Sequence, residues 1–204
     1  MNLKNIPNKW REYLLSELLA EHGELSSGRE EVFSVAVHEG LVNQVEHLGR
    51  VYAAKDTSNY KLVRPGDIVY TKSPTGDFPY GIIKQSRCNV PVIVSPLYGV
   101  FKPRTYKLGT FLDFYFESPV RTNNYLKPIS HKGAKNTINI TNDTFLSSSI
   151  YLPNCDGEID AIVDILEIAH HEIELLTRQI AACKLQKQGL MQKLLNGKVR
   201  VRTT

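Results

Sequence analysis

The chain has 204 residues, 25 Lys plus Arg, 21 Asp plus Glu, a formal net charge of +4 and a pI near 8.9. Hydrophobic residues make up 42% and charged residues 23%, which excludes a collagen-like fibre and a disordered polyelectrolyte. No apolar run reaches the ~18 residues of a spanning helix, and the opening MNLKNIPNKWREYLL lacks a signal peptide's apolar stretch. A cytoplasmic location with no membrane partner is therefore expected. Cys88, Cys155 and Cys183 are odd in number and far apart, a pattern of neither a disulfide framework nor a zinc cluster.

The elements follow in chain order. Trp10 to Leu19 reads as a helix. Val, Ile, Tyr and Phe runs bounded by Gly, Pro, Asn and Asp read as strands at 32–37, 66–72, 80–85, 90–95, 98–102 and 137–140. Pro65-Gly66-Asp67 and Pro74-Thr75-Gly76-Asp77 supply turns between them. A second helix runs from Leu108 to Ser118 and ends before Pro119. All ten prolines lie in residues 1–153. Beyond Asp156 the spacing predicts one long helix over 158–196, stopped at Asn196-Gly197.

That helix carries a heptad repeat. With Ile159 at position a, the a and d positions hold Ile159, Ile162, Leu166, Ala169, Ile173, Leu176, Ile180, Cys183, Lys187, Leu190 and Leu194. Only Lys187 is polar, so the stripe is a coiled-coil seam. A helix of this length leaves its stripe uncovered by a domain of ~150 residues and requires a partner. Asp and Glu crowd its first half, Lys and Arg its second, which suits the helix dipole. The same polarity favours antiparallel pairing with an identical copy. The fold class expected is α+β: a mostly β domain with short helices over 1–153, a long C-terminal coiled-coil helix over 154–198 for dimerisation and spacing, and a tail over 199–204.

The modest net charge is unevenly spread. Residues 1–50 are net −3, residues 51–150 net +7 and residues 151–204 neutral. A localised basic excess points to a polyanion, because binding releases condensed counterions. The β-rich region interleaves cations, aromatics and amides in its loops: Lys72, Ser73, Tyr80, Lys84, Arg87, Arg104, Lys132, Lys135 and Asn136. Lys and Arg engage phosphates, while Arg, Lys, Asn and Gln also read purine edges. The small residues Gly133 and Ala134 allow close approach of the backbone to phosphates.

Catalytic patterns are missing from the sequence. There is no glycine-rich adenosyl-binding loop, no Asn-Pro-Pro-aromatic motif and no Walker loop. Adjacent His170 and His171 point about 100° apart on a helix and make poor paired ligands. The expectation is a non-enzymatic chain with no cofactor and no metal.

Several segments taken in order resemble the specificity subunits of type I restriction-modification systems. They are Asn8-Lys9-Trp10 with the Tyr13–Leu18 run, RPGDIVYTKS with YGIIK, VIVSPLYGVFKP as a following strand pair, HKGAKNTINITNDTFLSSSIYLP as a closing segment, and LQKQGLMQKLLNGKVRV as a helix ending. The resemblance covers nearly the whole chain as one half of a family member, with one target recognition domain and one helix where the full pattern has two of each. It implies double-stranded DNA as a partner, together with modification subunits that carry the adenosyl cofactor and methylate adenine, and a restriction subunit reached through the complex. Two versions follow: a half-subunit that homodimerises and reads two inverted half-sites, or a truncated subunit that pairs with another specificity subunit. A coiled-coil adaptor whose β-rich head binds protein is the reading from a different class.

Overall fold

The computed structural model describes residues 9–44, 56–132 and 138–202, with side chains described outside 131–139. Chain contacts divide it into two units, Met1–Val163 and Asp164–Thr204.

The first unit is built on a four-stranded antiparallel sheet. Its order is β2 (Leu19–Glu21), β9 (Gly99–Pro103), β6 (Ile68–Thr71), β7 (Ile82–Gln85). Period-two alternation sends its side chains to two faces. Leu19, Ile68, Tyr70, Ile83 and Phe101 enter the main core. There they meet α2 (Tyr106–Glu117), α3 (Pro119–Ile129) and α4 (Asn142–Leu146) through Phe111, Leu112, Phe116, Tyr125, Leu126 and Phe145. The Phe145 ring stacks on Tyr70 at 4.7 Å and on Phe101 at 5.0 Å, which ties α4 to the sheet centre. On the opposite face Val69 and Val100 join a second cluster. It includes Val63 of β5 (Lys61–Val63), Val92 and Val94 of β8 (Val92–Val94), and residues of the hairpin β3 (Phe33–Ala36) and β4 (Gly40–Asn43). Burial on both faces explains why β6 is apolar without alternation.

Two sequence expectations are corrected here. Trp10 to Leu19 is not one helix. Trp10–Leu14 is strand β1, Leu15–Leu18 a single helical turn, α1, and Leu19–Glu21 strand β2. β1 pairs along its whole length with β12 (Ser149–Pro153), and this distant partner overrides local propensity. Glu17 caps the turn by accepting the Leu14 N–H at 2.7 Å, and Leu15 donates to the Ser148 carbonyl. Secondly, the strands of VIVSPLYGVFKP do not pair with each other. They flank a tight turn at Ser95–Tyr98, but β8 pairs with β5 while β9 lies between β2 and β6. The helix expected at Leu108 to Ser118 is present as α2, and a helix the sequence did not suggest, α3, follows it at once with Pro119 at its first position. Tyr125 and Leu126 of α3 are buried in the core.

The turn Arg64–Asp67 is closed by Asp67 N–H to the Arg64 carbonyl, with Pro65 and Gly66 at its centre. Gly66 has φ +91°, as the third residue of such a turn requires. β10 (His131–Lys132) and β11 (Ile138–Asn139) form a short antiparallel pair.

Helix α5 runs from Asp156 to Leu195. Its start is anchored within the first unit: Trp10 Nε1 donates to Glu158 at 3.1 Å, and Ile159 and Val163 are buried in the main core. Its end is a glycine stop at Gly197, with φ +68° and its N–H on the Leu194 carbonyl. In the second unit Leu166, Ile173, Leu176, Ile180, Leu190 and Leu194 are all exposed, as is Cys183. Ile159, expected in the dimer seam, belongs to the domain core instead, and Ile162 is half-buried against that core. The open seam therefore begins at Leu166. No described helix is long and apolar enough to cross a membrane.

Candidate nucleic-acid interface

The β6–β7 hairpin carries four of the expected contact residues at its two ends. Lys72 and Ser73 leave β6 into the connecting loop, and Tyr80 lies on that loop's return. Arg87 lies beyond the far end of β7, near the end of β9 that carries Arg104. The two ends are separated by the four residues of β6, roughly 13 Å of strand. They do not form one continuous patch.

Lys84 is removed from the surface set. It is 7% exposed and faces Asp113 of α2 at 3.8 Å. Asp113 also pairs with Arg87 at 3.5 Å and accepts the Gln85 N–H at 3.2 Å. Burial pushes the Asp113 carboxyl above the ordinary carboxylate range, outweighing the opposing pull of Lys84, Arg87 and the Gln85 amide. This cluster fastens α2 to the sheet edge. Arg87 keeps 44% of its side chain exposed, above the Phe114 ring. Arg104 is similarly half-exposed and paired with Asp156 at 3.5 Å. Each arginine thus offers a phosphate only part of its guanidinium. The Tyr80 ring packs against the main core, and its carbonyl accepts the Tyr70 hydroxyl at 2.8 Å, so its position is structural.

Lys72 is different. Its stem is half-buried, and its pKa is lowered first by that burial and then by the charge of Lys61. Lys61 lies on β5 and pairs with Glu21 at 3.8 Å. Two ammonium groups thus share the field of one carboxylate, a local positive excess that a phosphate oxygen would neutralise. Sequence reasoning missed Lys61. Nothing local marks it, since only the pairing of β5 and the return of β2 bring it within electrostatic reach of Lys72. Ser73 is exposed next to this pair. Lys135 and Asn136 lie outside the described residues; Lys132 is on β10, with its side chain likewise outside them.

A second polar centre lies at the opposite end of β6, where Asp67 precedes Ile68. Asp67, 2% exposed, accepts the Arg64 N–H at 2.7 Å and contacts His22 Nε2 at 2.9 Å. That hydrogen bond, reinforced by the charges of Asp67 and Glu24, holds the His22 pKa above its ordinary value against burial and Arg64. Arg64 in turn clasps Glu24 at 2.6 Å. Among the described residues no group of three His, Cys, Asp or Glu is arranged to hold a metal.

No family model matches the sequence, and no curated protein matches it. Solved structures do share the fold. The HsdS subunit from Thermoanaerobacter tengcongensis aligns with TM-score 0.53 at 18% identity, over 93% of this chain and 45% of that one. The type I restriction-modification S subunit from M. genitalium aligns with TM-score 0.52 at 14% identity, over 93% and 46%. A chain from a structure of type I R-M complex assembly and conformational transition aligns with TM-score 0.58 at 16% identity, over 94% and 46%. The fold is therefore that of one half of a type I specificity subunit, with a mixed α/β domain followed by a long C-terminal helix. This chain spans about half the length of those it matches.

Proposed function

We propose that this chain is a non-catalytic DNA-sequence-recognition subunit of a type I restriction-modification complex, acting as an antiparallel homodimer. The observation that carries the reading is the alignment of nearly the whole chain with just under half of each specificity subunit. Two copies would supply the two domains and two helices of a full-length subunit. The exposed seam from Leu166 to Leu194 supports pairing, because a stripe of large aliphatic side chains is costly to leave in water. Two domains related by a two-fold axis would read two inverted half-sites across an unread spacer. Lys72, Ser73 and Lys61 form one candidate DNA contact; Arg87, Arg104, Lys132, Lys135 and Asn136 are further ones. The modification subunits would bring the methyl donor, and this chain would position them.

The test joins solution mass with DNA selection in the presence of the cognate modification subunit. A dimer selecting a divided, inverted site is expected; a monomer selecting one undivided site would sink the proposal. In the same complex, Lys61→Ala and Lys72→Ala should each weaken binding across all sequences and reduce the salt slope by about 1.

A further inference from the structure

The open seam on α5 is bounded at both ends, and the bounds select a register. At its start Ile159 and Val163 are committed to the first unit's core, so the first available seam residue is Leu166. At its end the helix stops at Leu195 and Gly197. In antiparallel coiled coils an a residue faces a d residue of the other strand, so allowed registers differ by whole heptads.

We infer that two copies pair with Ile180 facing Cys183 of the second copy, the two-fold axis passing between Ala181 and Ala182. This inference rests on the homodimer reading. In this register Gly197 of one copy lies beside Leu166 of the other, so each helix end reaches the first open seam residue and no further. Ile173 faces Leu190, and the bulky Leu194 faces the small Ala169. On the flank Glu172 faces Lys193, twice by symmetry. Asp164, Glu167, Glu172 and Glu174 of each copy lie along the half holding Lys184, Lys187, Lys193 and Lys198 of the other. Sliding by one heptad toward the domains breaks this match. Leu194 would fall on Ile162, already half-buried against its own domain, and Lys193 would meet the aliphatic Ile165. The chosen register puts the two Leu166 residues ~46 Å apart along the pair, at 1.5 Å per residue.

Cys183 makes the register readable. In a Cys88→Ser, Cys155→Ser background, light scattering first reports mass, and a short thiol cross-linker then reports neighbours. Cys183 alone should convert most of the dimer to a covalent pair, because the two copies lie ~4.5 Å apart along the axis, while Ile173→Cys combined with Cys183→Ser should not link, its two copies lying ~26 Å apart. A dimer that fails to link through Cys183 would overturn the register in favour of the one-heptad slide, which parts those thiols by ~15 Å. Efficient linking with the Ile173→Cys, Cys183→Ser variant would indicate parallel helices and overturn it too. A monomeric mass would instead overturn the homodimer reading beneath it. As a check independent of cysteine, Glu172→Lys should weaken dimerisation about fivefold. Adding Lys193→Glu to the same chain should restore it; failure of that rescue would overturn the Glu172–Lys193 pairing.

Discussion

At the residue scale, two buried carboxylates organise the domain and respond differently to their surroundings. Asp113 is held under the sheet edge with Lys84, and both side chains are largely buried. Such a pair adds little net stability over apolar packing, but breaking it strands a charge. Asp113→Ala should therefore cost about 3 kcal/mol in chemical denaturation, and Asp113→Asn less, because an amide oxygen can still accept the Gln85 N–H. His22 gives a pH signature. Its folded pKa is raised chiefly by the hydrogen bond to Asp67, so folding favours the protonated ring. The resulting stability is complete below the unfolded value of about 6.5 and is lost as pH rises through the folded value. Melting temperature should fall over that window, and His22→Gln should flatten the fall. Neither centre was legible in the sequence. Lys84 reads in the sequence as a cation able to contact DNA and nothing there singles out Asp113, because burial is a property of the residues that cover them.

At the element scale, the β6–β7 hairpin shows what local signals can carry. Pro65-Gly66-Asp67 before a Val/Ile/Tyr run identified the first strand, and the second run returned after a Gly-Asp turn. Gly81 is the point where the hairpin is most tightly constrained. Its φ is +106°, and a Cβ there would lie 1.9 Å from the Thr71 carbonyl oxygen. Gly81→Ala should destabilise the domain by more than about 2 kcal/mol, read as a lower denaturation midpoint. Helix α2, helix α5 and the Gly197 stop were equally legible, being set by periodicity and caps within one stretch of chain. β1 and α3 were not. Strand β1 takes its identity from β12, which closes the domain at the other end of the sequence. Helix α3 is held by Tyr125 and Leu126 in a core to which it contributes only part.

At the scale of the whole molecule, the proposed dimer makes helix length a ruler. Inserting one heptad into α5 should lengthen the pair by about 10.5 Å, or about 3 base pairs of DNA. DNA selection with the modification subunit should then return unchanged half-sites around a longer spacer; an unchanged spacer would reject the ruler. The sequence by itself determined the basic excess of residues 51–150, the heptad stripe, the polarity of charge along the helix and the resemblance to half a specificity subunit. Composition and period are local properties, readable wherever the chain later goes. Only the tertiary structure decided that Ile159 belongs to the domain core and not to the seam, that Lys84 is spent on Asp113, and that Lys61 and Lys72 feel each other's charge. Those outcomes depend on segments far apart in sequence being brought together, and a side chain is buried, paired or left open by whichever of them arrives.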